Sequence, residues 1–301
     1  MHVFVTGASG WIGSATVDDL VAAGHQVTGL ARSDASARAV AAAGATPLRG
    51  DLDDLDALRR GASDADAVVH LANKHDWSDP AATNASERAA VEALGEVLVG
   101  TDRPFVVASG IAGLAGDRPA LETDPSPFSG PDAMRGGSEN RAFDFVERGV
   151  RTIAARFAPT VHGTGDHGFI ALIVAAAQRH GVSAYVGEGT NGWSAVHRSD
   201  AARLVRIGLE QAPPGTRLHA TAETSVPTRA IAEAIGAALG LPVTSVDPAD
   251  AVAHFGFIGQ FFGMEMSGDS TATRSLLGWQ PVGPTLAEDI AAGAYSGARA
   301  A

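Results

Sequence analysis

The stretch Val3-Phe4-Val5-Thr6-Gly7-Ala8-Ser9-Gly10-Trp11-Ile12-Gly13 decides the fold of this chain. A short apolar run leads into three glycines spaced three residues apart, and an amphipathic run follows to residue 23. This order predicts a strand, a tight turn and a helix. The turn has to pass close to an object that a Cβ would block, and the positive end of the helix dipole would face that object. A dinucleotide pyrophosphate is the anion that the arrangement favours.

Strand and helix patterns alternate through the first half of the chain. We predict strands at residues 3–6, 26–31, 46–49, 67–71, 105–109 and 152–157, and helices at 12–23, 33–43, 52–60, 80–100 and from 138 onward. Alternation at this spacing is typical of parallel strands joined by helical crossovers on both faces of a sheet. We therefore expect an α/β chain with a Rossmann-type, doubly wound parallel sheet.

The rhythm loosens after residue 160. Helices are predicted at 169–178, 199–211 and 228–239, with a short strand at 184–186, while the apolar run 254–266 has a loop-like pattern. We expect residues 1–162 to form the dinucleotide-binding domain, with 190–225 returning to it. Residues 163–189 and 226–301 would form a smaller C-terminal α/β substrate lobe.

Composition narrows the class of protein. Apolar residues make up 45% of the 301 residues, enough for a large core. Cysteine is absent, which excludes thiolate chemistry and is compatible with a reducing cytoplasm. A net charge of −12 without a basic run argues against a nucleic-acid partner. No window has the length of a membrane span, and no basic-then-apolar leader precedes the first strand, so we expect a cytoplasmic protein without a membrane partner.

Further stretches follow the glycine motif in a fixed order. They are Gly50-Asp51-Leu52, His70-Leu71-Ala72-Asn73, Ala108-Ser109, Arg156-Phe-Ala-Pro159-Thr-Val-His-Gly163, Ala195-Val-His197-Arg-Ser-Asp200 and Leu276-Leu-Gly-Trp279-Gln-Pro281. Together these stretches resemble the extended or atypical short-chain dehydrogenase/reductases, a superfamily that includes NAD-dependent epimerases and dehydratases. The resemblance covers most of the chain. It implies a Rossmann fold, a nicotinamide dinucleotide at the strand ends and oxidoreductase chemistry.

One motif of that family is missing. Its members usually carry Tyr-x-x-x-Lys at the start of the helix after the fifth strand, where the tyrosine exchanges a proton with the substrate and the lysine lowers its pKa. Aligned on Ser138, this chain has Arg135 at the tyrosine and Glu139 at the lysine. These two residues either touch substrate or ribose, or form an exposed ion pair of small energy. The two tyrosines of the chain, Tyr185 and Tyr295, do not obviously fill the gap.

The resemblance places cofactor contacts at the ends of the predicted strands. Arg32 and Ser33 follow the second strand, where an arginine can pair with a 2′-phosphate, so we expect NADP(H) in preference to NAD(H). The alternative for Arg32 is a solvated surface residue. Asp51 contacts adenine, caps the next helix, or does both. The remaining predicted cofactor contacts are Gly7, Ser9, Gly10, Trp11, Ile12, Gly13, Leu52, Leu71, Ala72, Asn73, Pro159 and Val161.

Candidate catalytic residues follow the fifth and sixth strands. Ser109 stands where the family hydrogen-bonds the substrate carbonyl, or it bonds local backbone. His162 and His167 are candidate proton donors because histidine carries protons at neutral pH. Arg135 with a bound water, and the cofactor ribose, are the other candidates for this step. We expect no metal site, since the histidines lack a metal-ligand spacing.

Aromatic residues in the second half indicate an apolar substrate pocket. We expect His75, Trp193, Phe257 and Phe261 to line it, with the glycine-interleaved run 254–266 acting as a lid or wall. The alternative for this run is ordinary packing under a loop.

The sequence thus predicts an NADP(H)-dependent oxidoreductase that reduces a carbonyl or related unsaturated group of a small to medium apolar substrate. Two alternatives stay open, a non-catalytic NADP(H)-binding sensor and a nucleotide-sugar epimerase or dehydratase. We expect a small-molecule substrate and a monomer or homodimer.

Overall fold

The computed structural model describes residues 1–76 and 78–295. Its strands are β1 (His2–Thr6), β2 (Gln26–Ala31), β3 (Thr46–Arg49), β4 (Ala67–His70), β5 (Pro104–Gly110), β6 (Arg151–Phe157), β7 (Thr160–His162), β8 (Ser183–Val186), β9 (Gly192–His197), β10 (Thr216–Ala220), β11 (Glu223–Pro227) and β12 (Val243–Val246). Its α-helices are α1 (Trp11–Ala22), α2 (Asp34–Ala42), α3 (Leu55–Ser63), α4 (Pro80–Leu98), α5 (Ser138–Phe143), α6 (Phe169–His180), α7 (Arg198–Gln211), α8 (Thr228–Leu239), α9 (Ala251–Phe255), α10 (Gly259–Phe262), α11 (Thr271–Leu277) and α12 (Leu286–Ala291).

Seven parallel strands form the central sheet, in the order β10-β6-β5-β4-β1-β2-β3. The chain reverses its direction across the sheet between β1 and β4, which is the point where such sheets bind ligands. The predicted doubly wound parallel sheet is confirmed. The seventh strand, β10, was not predicted: its sequence TRLHA carries an arginine and a histidine, and it pairs only with β6 at the sheet edge.

Helices cover both faces of this sheet. Val17 and Leu20 of α1 share one core with Leu204 and Leu209 of α7. On the other face, Leu58 of α3 packs in a core with apolar residues of α4 and α5. Burial on both faces explains why the central strands are apolar runs without alternation.

Two smaller sheets lie beyond the central one. Strands β11, β9 and β7 form the first, and β12 and β8 form the second. Their core contains Trp193, Phe255, Phe262 and Met266, all fully or nearly fully buried. The expectation of a loop at 254–266 is corrected here, because α9, a 3₁₀ turn (Gly256–Ile258) and α10 occupy most of it. The domain boundaries drawn from the sequence stay a prediction.

The start of α3 also differs from the prediction. Asp51 accepts hydrogen bonds from the backbone N–H of Asp53 and Asp54, at 2.9 and 3.1 Å, and so forms a turn. Asp54 then caps the helix by accepting from Ala57 N–H at 2.9 Å. The acidic run therefore delays the helix to Leu55, and Asp51 is not its N-cap.

Candidate active site

The glycine turn has the geometry that a pyrophosphate requires. Gly7 has φ +69°, and a Cβ there would lie 2.8 Å from the Ala72 backbone nitrogen. A Cβ on Gly13 would lie 1.9 Å from the Gly7 carbonyl oxygen. The N-cap of α1, Gly10, supplies no side-chain acceptor to the first turn, so its N–H groups are left for an anion. Ser9, Trp11 and Ile12 complete this turn, with Ser9 exposed.

The ends of β2 and β3 form the region predicted for the adenosine. Arg32 is exposed, and Ser33 caps α2 by accepting from Ser36 N–H at 3.1 Å. The nearby carboxylate of Asp34 is paired with Arg49 at 3.1 Å. Leu52 is buried beside this region. Arg32 therefore stands exposed at the end of β2, and the acidic residue nearest to it in the sequence, Asp34, is paired with Arg49.

The end of β4 continues the crevice. Leu71, Ala72 and Asn73 are half-buried, and Ala72 N–H donates to the Thr6 hydroxyl at 3.3 Å. Asn73 Nδ2 donates to Glu87 at 3.0 Å. The glycine turn and the end of β4 are thus tied together next to a buried carboxylate.

That carboxylate, Glu87 of α4, was missed by the sequence reading. It is 1% exposed and accepts from Arg135 Nη2 at 2.6 Å, while His70 Nε2 lies 3.7 Å away. Burial opposes its ionisation, but Arg135, His70 and Asn73 outweigh burial and hold the pKa of Glu87 below its usual value. A signal existed, because Glu87 falls on the same helical face as the buried Ala90, Val91 and Leu94.

Arg135 reaches Glu87 through an unusual backbone. Arg135, Gly136 and Gly137 have φ of 57°, 61° and 63°, which makes one left-handed turn before α5. A Cβ on Gly136 would lie 2.3 Å from the Asn84 carbonyl oxygen, so the turn packs tightly on α4. A left-handed arginine costs on the order of 1 kcal/mol, and such strain is typical of functional sites.

Glu139 has a different neighbourhood from the lysine that the family places there. Its carboxylate accepts from Arg156 at 3.0 and 2.6 Å and from Arg217 at 3.2 Å. Burial opposes ionisation, but Arg156 and the hydroxyl of Ser109 outweigh it and lower the pKa of Glu139. Glu139 is 4% exposed and Arg156 is 0% exposed. The alternative in which Arg135 and Glu139 pair with each other does not hold, since Arg135 binds Glu87 and Glu139 binds Arg156.

His162 is enclosed. It is 0% exposed, and its Nδ1 lies 2.6 Å from Asp289 Oδ2 of α12. The ring of His197 packs edge-on at 5.7 Å. Burial lowers the pKa of His162 against the attraction of Asp289. We therefore do not retain His162 as a proton donor to an entering substrate.

His75 follows the end of β4, and His167 follows β7 beside the glycine turn. His167 is exposed, and its ring meets the edge of Trp11 at 5.8 Å. Trp11 in turn donates to the Val161 carbonyl at 2.7 Å, next to the half-buried Pro159. Desolvation by the surrounding protein lowers the pKa of His75, and the positive charges of Arg135 and His167 lower it further. His75 therefore lies within electrostatic range of both Arg135 and His167.

The predicted aromatic wall is only partly present. Trp193 is 0% exposed and belongs to the lobe core, so its expected place in a pocket wall is corrected. Phe257 and Phe261 are half-buried, with ring centroids 5.3 Å apart. The ring of Phe261 stacks on that of Phe169, with the centroids 6.2 Å apart. Phe169 follows His167 by two residues in the sequence.

Two absences apply to the described part of the chain. Residues 1–76 and 78–295 contain no group of three or more acidic or histidine side chains arranged to hold a metal ion. Over the same residues, no helix has the length and apolar character needed to cross a bilayer.

Comparison with known proteins agrees with this geometry. A family model described as the NAD dependent epimerase/dehydratase family matches residues 3–219. An uncharacterized protein of Schizosaccharomyces pombe is 43% identical over 295 residues, which are 98% of this chain and 100% of that protein.

A more distant relative is a 4-hydroxy-2-methyl-3-oxo-4-farnesyl-3,4-dihydroquinoline-1-oxide ketoreductase of Stigmatella aurantiaca, 29% identical over 226 residues, 71% of this chain and 66% of that protein. The crystal structure of a Thermotoga maritima UDP-glucose 4-epimerase with UDP-glucose has the same fold, with TM-score 0.78 and 20% identity over 98% of each chain. The chain therefore belongs to the NAD dependent epimerase/dehydratase family, whose Rossmann fold binds a nicotinamide dinucleotide.

Proposed function

We propose that this chain is an NADP(H)-dependent oxidoreductase that reduces a carbonyl or related unsaturated group of a small to medium apolar substrate. The observation that carries the proposal is the placement of two groups beside the glycine turn, where the family tyrosine is absent: Arg135, fixed at 2.6 Å from Glu87, and the exposed His167, whose ring lies 5.8 Å from that of Trp11. His75 lies within electrostatic range of both. These groups supply a fixed cation and two proton carriers at the place where a substrate oxygen would lie.

The preference for NADP(H) rests on charge. Arg32 stands exposed at the end of β2, and Asp34 is bound by Arg49 and does not compete for it. A guanidinium suits a 2′-phosphate, whereas an NAD-binding site needs a free carboxylate for the ribose hydroxyls. Ser33 at the N-cap of α2 would add backbone N–H groups of a helix start to the same phosphate.

The chemistry divides among the residues of the crevice. When bound, NADPH supplies the hydride that adds to the carbonyl carbon. Arg135 polarises the carbonyl oxygen, and Glu87 keeps its guanidinium in place. His167 donates the proton to that oxygen and is reprotonated by water because it is exposed. Ser109 also faces this end of β5, although its hydroxyl lies against Glu139.

The apolar character of the substrate follows from the lobe. Phe257 and Phe261 are partly open to solvent, and Phe261 stacks on Phe169, which follows His167 by two residues in the sequence. Aromatic rings in this position favour an apolar body on the substrate. A nucleotide sugar fits such a wall poorly, so the epimerase alternative is the weaker one.

Binding and turnover of both cofactors test the proposal. We expect NADPH to bind more tightly than NADH and to be consumed with at least one member of a panel of ketones and aldehydes. Arg32→Ala removes a charge-assisted contact and should raise the Kd for NADPH roughly 10- to 100-fold while leaving NADH unchanged. Arg229→Ala, on the exposed face of α8, is the matched control.

The outcomes separate the alternatives. Tight NADPH binding without turnover across the panel would favour the non-catalytic sensor. Equal affinity for NADH and NADPH would overturn the assignment of Arg32.

A further inference from the structure

The segment that carries His167 connects β7 to α6, and hydrogen bonds of Asp166 hold it in place. Asp166 Oδ1 accepts from Gly168 N–H at 2.7 Å, and Asp166 N–H donates to the Gly163 carbonyl at 3.1 Å. Asp166 and Gly168 flank His167 directly. The carboxylate and the backbone N–H of Asp166 therefore fix the chain on the two sides of the exposed imidazole.

A tyrosine from the C-terminal end of the chain holds that carboxylate. Tyr295 lies four residues after α12, is 4% exposed, and donates its hydroxyl to Asp166 Oδ2 at 2.8 Å. Burial and the neighbouring carboxylate raise the pKa of Tyr295, so the hydroxyl stays protonated and remains a donor. This tyrosine is consequently not a replacement for the missing catalytic one, since it is buried and its proton is committed.

The start of the same segment is tied to the same C-terminal region. His162 ends β7, and its Nδ1 lies 2.6 Å from Asp289 of α12. Gly163 follows directly, and a Cβ there would lie 3.2 Å from Nε2 of His197. The backbone after β7 therefore packs closely against the His197 ring. His162, directly before the segment, and Asp166, inside it, are thus bonded to Asp289 and Tyr295.

From these contacts we propose that Tyr295 and Asp289 are positioning residues that fix residues 163–168 and hold the His167 imidazole at the crevice. The proposal rests on the proton-donor role proposed for His167. A proton donor has to approach the substrate oxygen within a narrow range of distances and angles. Fixing the backbone of a connection without secondary structure therefore makes proton transfer from its exposed side chain more efficient. The two anchors provide that fixation from a part of the chain more than 100 residues away in sequence.

Tyr295→Phe is the sharpest test because it removes one hydroxyl and keeps the buried ring. We expect kcat with NADPH and a panel substrate to fall about tenfold, with the Kd for NADPH unchanged. Hydrogen exchange of the backbone amides 164–168 should become faster, while exchange in β1 and β4 stays the same. Asp289→Asn should act in the same direction and speed exchange at residues 162–164.

Tyr185→Phe is the matched control, since Tyr185 is the only other tyrosine in the sequence and lies on β8 in the lobe. Unchanged kcat together with unchanged exchange at 164–168 in Tyr295→Phe would overturn the proposal. Faster exchange with unchanged kcat would also overturn it, because the contact would then be structural alone. If the wild-type chain shows no turnover, the proposed function fails, and the exchange measurement still decides whether Tyr295 orders the segment.

Discussion

Arg135 donates to Glu87 at 2.6 Å, and this contact joins the left-handed turn before α5 to the buried face of α4. It connects Arg135, which the sequence aligns with the family tyrosine, to a buried carboxylate that none of the sequence motifs contains.

Glu87→Gln removes the charge that holds the Arg135 guanidinium. We expect kcat to fall at least tenfold, because the cation that polarises the carbonyl loses its fixed position. Arg135 is about a quarter exposed, so water can solvate the freed charge and the loss of stability should be about 1–3 kcal/mol. Glu92→Gln, an exposed pair member on the same helix, should leave kcat unchanged. Equal loss of kcat in both variants would contradict the role of Glu87.

Glu139→Gln leaves the guanidinium of Arg156 buried without its counterion. Breaking a buried pair from one side costs about 3–5 kcal/mol, and chemical denaturation should show a loss of that size. Glu233→Gln breaks the exposed pair with Arg229 and should change stability by less than about 1 kcal/mol. A loss below 1 kcal/mol in Glu139→Gln would mean that solvent or another carboxylate reaches Arg156.

Gly13→Ala tests the glycine turn. The added Cβ would lie 1.9 Å from the Gly7 carbonyl oxygen, so the turn has to open. We expect the Kd for NADPH, measured by fluorescence titration, to rise by more than about tenfold, because the first-turn N–H groups move away from the pyrophosphate. Gly116→Ala is the control, since nothing lies within 4 Å of its added Cβ. Unchanged NADPH binding in Gly13→Ala would place the cofactor elsewhere.

Trp193→Ala separates a core residue from a pocket wall. Removing this fully buried ring should cost about 3–5 kcal/mol of folding free energy. Under conditions in which the variant stays folded, KM for the substrate should stay close to that of the wild type. A large rise in KM with little loss of stability would restore Trp193 to the substrate pocket.

Stability should fall in mild acid because several histidines are buried in the neutral form. His70, His162 and His219 are 0% exposed, and burial lowers the pKa of each. Their contribution to the free energy of unfolding is complete above about pH 6.5, near the pKa of histidine in the unfolded chain. It is lost as the pH falls through the lower pKa values of the folded state. Each one adds up to about 1.4 kcal/mol per pH unit to the slope within that window.

A single variant isolates one of these histidines. His162→Asn should reduce the slope of unfolding free energy against pH between 7 and 5, whereas His180→Asn, on the exposed end of α6, should not. The raised pKa values of Asp166 and Glu223 act in the opposite direction, and burial is the main cause for both. They are common to both variants, so the comparison cancels them. An unchanged slope in His162→Asn would show that the pKa of His162 is the same in the folded and unfolded states, against the effect of burial.

The sequence alone determined the frame of the protein. Apolar strands, the glycine spacing and helix stops such as Gly24 are local signals, and they placed the first six strands of the central sheet and the cofactor turn close to their observed positions. Element ends shifted where side chains bond backbone locally, as Asp51 does before α3. The edge strand β10 escaped prediction because its sequence TRLHA carries an arginine and a histidine and lacks the apolar run of the central strands.

The partners of the charged side chains were decided only by the tertiary structure. Arg135 and Glu139 are four residues apart, a spacing that is compatible with an ion pair. In the structure, the left-handed turn directs Arg135 toward Glu87, and Glu139 is buried against Arg156. His162 and His167 both follow the sixth strand, and the sequence does not distinguish them as proton donors. In the structure, His162 is buried against Asp289 of α12, whereas His167 is exposed. Charge pairing and burial depend on residues distant in sequence, and a linear pattern carries no information about which of them meet.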